Sequence, residues 1–391
     1  MLESLTPQPP DALLALIKLH DEDDRPDKID LGVGVYRTGQ GDTPVFAAVK
    51  RAEERLVNEQ DSKSYLGPEG DIGFVNALMP YLFGKDATMG GRIAGMQTPG
   101  GTGAVRLALA LAQKAGTRRV HLGLPSWPNH AQILKDLDLE LVGFDHATSE
   151  GKADLDSVLG VIAAAEPGDT VLLHGCCHNP TGIDYSNEQW DAIADALSQS
   201  AAIPLIDTAY QGLGVGMKED AYGLRAVLAK VPEALIAQSC DKNFGLYRDR
   251  VGAFYAMAKD GSQLEDIMSN AAALARANWS MPPDHGAAAV RKILRDDELT
   301  ALWLEELETM RTRLRQVRAK LAEAGQSGAI DLKPLGGQNG LFSVLPLAKS
   351  QVEALRKDHA IYMAGSGRIN VAGLHMGNIE KFVDALAKVS S

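Results

Sequence analysis

The sequence predicts an α/β protein, in which a large unit with a mainly parallel sheet covered on both faces is joined to a smaller α/β unit. Three observations lead there. Beyond about residue 100, short apolar runs alternate with segments of helical period. A long periodic helix around 296–324 divides that series from a shorter one near the carboxyl end. The chain has 391 residues, more than the roughly 250–300 at which a single hydrophobic core stops growing.

Before about residue 45 lie one short helix and the glycine-rich LGVGVYRTGQG (31–41), which can pack with either unit. GAVRLALALAQKAG (103–116) reads as a helix, RVHLGL (119–124) as a strand, PNHAQILKDL (128–137) as a helix and LELVGF (139–144) as a strand. TVLLHG (170–175) is the next strand, and Ser186 with Gln189 three residues on forms a capping box that opens a helix. IPLID (203–207), ALIAQS (234–239) and VGAFYAM (251–257) complete the series. Leu302, Leu307, Met310, Leu314 and Leu321 give the long helix an apolar face, and Gly325 ends it. LFSVLPL, a helix near 350–358, IYMAG, RINVAG and a last helix make the smaller unit.

Charge and composition narrow the function. Asp and Glu number 51 against 39 Lys and Arg, a formal charge of −12, and such a field repels phosphate backbones and anionic lipid. Nucleic-acid and membrane partners are therefore not expected. The opening MLESLTPQPPD lacks the basic flank of a secretory signal, and no apolar run approaches the length of a membrane helix. Cys176 and Cys177 are adjacent and Cys240 makes the count odd, which suits a reducing compartment. The expectation is a cytoplasmic chain.

Ligands of open α/β sheets bind beyond the carboxyl ends of strands. Here IPLID ends in Asp207 with Tyr210 just beyond, ALIAQS runs into Cys240, Asp241 and Lys242, and TVLLHG runs into Cys176, Cys177, His178 and Asn179. A lysine in such a crevice can form a Schiff base with a carbonyl once its pKa is depressed. Each residue in isolation is an ordinary loop residue; their company points to a site. Asp207 at a buried strand end needs a cationic partner, which a protonated ring nitrogen supplies. Gly100, Gly101 and Thr102 stand just before the 103–116 helix, where free N–H groups favour phosphate. That segment fits neither the P-loop nor the dinucleotide fingerprint. Arg250 can add a bidentate clamp, Trp127 a flat face for ring stacking, and Arg368 calls for a carboxylate if buried. HGCCH (174–178) has the wrong spacing for zinc, and no metal is expected.

Taken together, LGVGVY, YLGPEG, TPGGTGA, PSWPNH, HGCCHNPTG, DTAYQG, DKNFGLYRDRVG, RANWSMPPDHG and SGRINVAG resemble the class I pyridoxal phosphate aminotransferases, in their aspartate and aromatic subgroup. The resemblance runs end to end and implies fold type I, with a seven-stranded, mainly parallel sheet. It implies that Lys242 carries pyridoxal 5'-phosphate as a Schiff base and shuttles the substrate proton. By the same resemblance Asp207 pairs with the ring nitrogen, His130 orients Asp207, and Tyr210 and Asn179 bond the phenolic oxygen. Trp127 stacks on the ring, while Gly101, Thr102, Ser239 and Arg250 hold the phosphate together with Tyr65 of the partner subunit. Arg368, with Gly34, Asn179 and Trp127 nearby, binds the substrate α-carboxylate, and Arg276 of the partner subunit binds a distal one. A homodimer with shared active sites follows from that resemblance.

The domains are expected at 1–45, packing with the small domain; 46–300, the large cofactor domain; and 301–391, the connector helix and small domain. Expected substrates are aspartate or glutamate with 2-oxo acids such as 2-oxoglutarate, in a ping-pong cycle. Aromatic amino acids are expected extras, because Met281 stands where aspartate-selective relatives carry Asn. Asp241 replaces the usual Ser before the lysine, facing either solvent or phosphate. Rival readings are an aromatic-preferring transaminase, a carbon–sulfur lyase or decarboxylase of the same fold, and a non-catalytic binding protein.

Overall fold

The computed structural model describes residues 2–7 and 12–391. Part of the opening MLESLTPQPPD, on which the expectation of no secretory signal rests, lies outside those residues. The strands in chain order are β1 (Ile29–Asp30), β2 (Ile93–Pro99), β3 (Arg119–Leu124), β4 (Glu140–Asp145), β5 (Thr170–His174), β6 (Ile203–Thr208), β7 (Ala234–Ser239), β8 (Val251–Met257), β9 (Gln326–Ser327), β10 (Ile330–Asp331), β11 (Phe342–Val344), β12 (Ile361–Tyr362) and β13 (Arg368–Asn370).

Seven of them form one sheet in the order β2-β8-β7-β6-β5-β3-β4. All pairs are parallel except those of β8, which runs antiparallel to both β2 and β7. From β3 the chain goes outward to β4, then returns to β5 on the other side and continues to β6 and β7. The strand order thus reverses between β3 and β5, the place where such sheets open a crevice. Every residue of β7 and β8 is buried, as expected of strands covered by helices on both faces.

The helix Gly100–Lys114 packs on β7 and β8 and beneath the helix Leu264–Asn278, which explains its long buried run Ala104–Ala112, broken only at Arg106. It begins earlier than the sequence pattern predicts: Gly100, Gly101 and Thr102 form its first turn rather than preceding it. Gly100 has φ +70, a conformation that suits glycine and lets the chain turn sharply from β2 into the helix. The capping box forms as read, with Ser186 Oγ accepting from Gln189 N at 3.2 Å and Gln189 Oε1 accepting from Ser186 N at 2.9 Å.

The long helix is Asp297–Ala324, capped by Asp296 and closed by Gly325 at φ +67. Its Trp303 is fully buried, stacks on Phe244 at 4.3 Å and donates to Asn243 O at 2.7 Å. This helix is therefore braced against the residues that follow Lys242. Further along, Arg313 donates to Ala372 O and Leu374 O, and the buried Arg318 donates to the carbonyls of Leu335, Asn339, Gly340 and Phe342. β1 pairs in parallel with β12, which places the glycine-rich 31–36 segment beside β13. RINVAG is a strand only to Asn370, because Asn370 Oδ1 accepts from Ala372 N and turns the chain into a 3-10 segment. Among the described residues, no helix is long and apolar enough to cross a membrane.

Candidate active site

Strand ends and two glycine-rich turns converge on one cavity of about 280 Å³. Lys242 follows β7, Asp207 lies near the end of β6 with Tyr210 beyond it, Asn179 follows β5 and Trp127 follows β3. Gly101 and Thr102 come from the first turn after β2, and Arg250 stands just before β8. Arg368 on β13 and Gly34 after β1 close the opposite wall. The reversed β8 matters here: it returns the chain to the sheet end it has just left, so Arg250 comes back beside Lys242.

At the floor, His130 Nε2 meets Asp207 Oδ2 at 3.1 Å, and both side chains are buried. Ser126 Oγ bridges His130 Nδ1 at 3.0 Å and His174 Nε2 at 2.9 Å. Burial pushes the Asp207 carboxyl up, but the hydrogen bond and charge of His130 and the charge of Lys242 outweigh it, and the net shift is downward. Asp207 is thus a carboxylate held ready for a cation. Burial lowers the Lys242 ammonium, partly opposed by Asp241 and Asp207, which favours a free nucleophilic amine. Lys242 Nζ lies 3.4 Å from Ser239 Oγ and 5.3 Å from the centre of the Tyr210 ring.

Asn179 Nδ2 donates to the Tyr210 hydroxyl at 3.4 Å, while Asn179 Oδ1 is buried without a partner among the described residues. Burial also pushes the Tyr210 phenol well up, so it is a neutral donor. In the anion corner, a Cβ on Gly101 would sit 2.8 Å from Ser239 Cβ and one on Gly100 2.5 Å from Arg250 Nη2. Only glycines leave that corner open. Ser239 itself is fully buried behind Lys242 and Gly101 rather than in the cavity wall.

On the opposite wall, Arg368 Nη2 donates to Gly32 O at 2.9 Å, and its guanidinium lies 4.7 Å from the centre of the Phe342 ring. Among the described residues, its Nε is buried without a partner. A guanidinium in that state calls for an anion. Asn370 Nδ2 donates to Val33 O at 2.6 Å and Val35 O at 2.7 Å, which fixes the Gly34 turn against the cavity.

Two expected residues are not brought in by the single chain. Tyr65 is 93% exposed, and Arg276 is exposed and bonded to Ser280. They lie on neighbouring surface segments, since Leu66 N contacts Met281 Sδ at 3.2 Å. Asp241 faces the phosphate corner, not solvent: it is 1% exposed and paired with Arg250. The HGCCH sulfurs of Cys176 and Cys177 lie near Asp220, whose oxygens accept backbone N–H bonds from Gly212, Gly214, Val215 and Gly216.

Several wall residues were not singled out in the sequence. Tyr247 was legible as the aromatic between Lys242 and Arg250, and its hydroxyl accepts from Tyr36 N at 2.9 Å. His174 ends β5 and could have been read as a strand-end polar group rather than as a metal candidate. Phe342 gave no signal, being one apolar residue in a short strand.

Asp207 suits a protonated ring nitrogen, Asn179 and Tyr210 a phenolic oxygen, Lys242 a carbonyl carbon, and the glycine cradle with Arg250 a phosphate. These residues fit pyridoxal phosphate. Such a fold and site define an enzyme that works through a lysine-held carbonyl cofactor. Residues 26–386 match the family described as aminotransferase class I and II. The chain is 50% identical to a tyrosine aminotransferase of Rhizobium meliloti (strain 1021) over 375 residues, 96% of each chain. It is 41% identical to an aspartate aminotransferase of Escherichia coli (strain K12) over 395 residues, covering all of both. A solved aromatic-amino-acid aminotransferase from Burkholderia pseudomallei, covalently bound to pyridoxal phosphate, superposes with a TM-score of 0.95 at 32% identity over the full length of both. The chain belongs to the class I and II aminotransferases, and pyridoxal phosphate is its cofactor.

Proposed function

We propose that this chain transfers the amino group of aspartate or glutamate, and of aromatic amino acids, to 2-oxo acids such as 2-oxoglutarate, as a homodimer with shared active sites. The observation that carries the reading is one cavity that joins the desolvated amine of Lys242 to Arg368, whose buried Nε has no partner among the described residues. The tyrosine, aromatic and aspartate activities named for the relatives support the substrate range.

When bound, pyridoxal phosphate supplies an electron-withdrawing ring that accepts the electron pair left by the departing Cα proton. The chain's own residues do the rest. Lys242 would hold the cofactor's carbonyl carbon and, once released, take the proton from substrate Cα and return it at C4′. Asp207, oriented by His130, would keep the ring nitrogen protonated. Asn179 and Tyr210 would hold the phenolic oxygen and Trp127 the ring face. Gly101, Thr102 and Arg250 would hold the phosphate, with Ser239 reaching it only from behind Lys242 and Gly101, joined by Tyr65 of the partner subunit. Arg368 would clamp the α-carboxylate beside Gly34, and Arg276 of the partner subunit would clamp a distal carboxylate.

Support for the shared site is that Tyr65 and Arg276 sit on the same outer face, away from their own cavity. Met281, on that face, offers a thioether where a polar side chain would cost more to desolvate beside an aromatic substrate. In the same reading residues 46–300 form the cofactor domain, and residues 301–391 with 1–45 form the small domain. A cytoplasmic location is part of the proposal, supported by three free, buried cysteines.

The test is kcat/KM for aspartate, tyrosine and phenylalanine with 2-oxoglutarate, in the wild type and in Arg276→Ala. We expect turnover of all three, with Arg276→Ala lowering the aspartate value about a hundredfold, the scale of a lost charge-assisted bidentate contact, and sparing phenylalanine. Equal losses on both donors would remove Arg276 from the substrate site.

A further inference from the structure

Asp241 stands in the corner that would receive the cofactor's phosphate. Its Oδ1 accepts from Val251 N at 2.9 Å, and its Oδ2 accepts from Arg250 Nη1 at 2.5 Å. A Cβ on Gly100 would lie 3.0 Å from Asp241 Oδ2 and 2.5 Å from Arg250 Nη2. The ion pair is therefore pressed against the helix turn whose N–H groups are open to an anion. Arg250 Nη1 is also committed to Tyr247 O at 3.1 Å. The charged and titratable groups around Asp241 are Lys242, Arg250, Cys240 and Tyr247; the helix turn brings none. Two anions facing one guanidinium repel each other across a desolvated gap, and each weakens the other's hold.

We propose that Asp241 is a positioning residue that acts as an internal counter-anion, taking one edge of Arg250 so that the cofactor's phosphate is held by the remainder and exchanges readily. Asp241 braces β7 to β8 through Val251 N and sets the direction of the guanidinium, while its charge loosens the phosphate. Cofactor occupancy then follows cofactor supply more closely than with a neutral residue at this position. The inference rests on the reading that this cavity takes pyridoxal phosphate.

The experiment measures dissociation constants of wild type, Asp241→Ser and the isosteric Asp241→Asn for pyridoxal phosphate and for pyridoxal, which lacks the phosphate, by the visible absorption of the loaded protein. Both variants should bind pyridoxal phosphate at least about tenfold more tightly, as expected for relief of one charge contact, with pyridoxal affinity unchanged. Asp241→Asn keeps an acceptor for Val251 N and carries the test if Asp241→Ser does not fold. Unchanged or weaker affinity for pyridoxal phosphate, or an equal gain for pyridoxal, overturns the proposal and leaves Asp241 as a brace alone. A wild-type protein that takes up no pyridoxal phosphate overturns the cofactor reading instead.

Discussion

At Asp207 two opposing effects meet, and their balance sets the chemistry available. Burial favours a neutral acid, yet the hydrogen bond from His130 and the surrounding charges keep it a carboxylate. The Ser126 hydroxyl links that pair to His174, which burial holds down to about 3. A neutral His174 can share the hydroxyl without adding charge to the floor. Ser126→Ala should leave two ring nitrogens without their partner, at a cost of about 1–3 kcal/mol in urea unfolding. An unchanged midpoint would mean that the bridge contributes nothing. Much at this scale was legible: Lys242, Asn179 and Arg250 each follow or precede a strand whose pattern the sequence shows, and Asp207 lies at the end of another. Phe342 was not, because its role comes from contacts between distant segments. The orientation of Asp241 was open, since a strand-end loop leaves its side chains free to face either way.

Among the elements, β8 shows what periodicity leaves out. VGAFYAM reads as a buried strand in either direction, and nothing local reveals that it runs against its neighbours. β2 was missed because GRIAGMQTPG, bounded by glycines and holding one inside, has the composition of a turn. The loops after β4 and β5 carry a further device: His146 stacks on His178 with ring centres 3.5 Å apart, and His174 lies 4.2 Å from His178. Burial lowers all three, His146 to about 4. Since the unfolded chain takes up protons below about 6.5 and the folded chain does not, the folded state loses stability as pH falls from about 6.5 toward 4. For His146 alone this amounts to about 3 kcal/mol. His146→Phe should flatten the fall in urea midpoint between pH 7 and pH 5; an unaltered slope would place the acid sensitivity elsewhere.

For the molecule as a whole, length and alternation predict two α/β units joined by a long helix, and that helix, Asp297–Ala324, is pinned by Trp303 to the segment after Lys242. The N-terminal segment was undecided by its sequence, because β1 is two residues long and its partner β12 lies more than three hundred residues away. Tyr65 and Arg276 lie outside the cavity of their own chain, and in the proposed homodimer they would enter the cavity of the partner subunit. A mixing experiment tests that account, with its assignment of Lys242, most directly. Lys242→Ala and Arg276→Ala proteins are each assayed for amino transfer from aspartate to 2-oxoglutarate, then mixed in equal amounts under conditions that allow subunits to exchange. Each alone should be nearly inactive, and the mixture should recover about a quarter of wild-type activity, because half the dimers are mixed and each mixed dimer holds one complete site. No recovery on mixing, or undiminished turnover by Lys242→Ala alone, would contradict it.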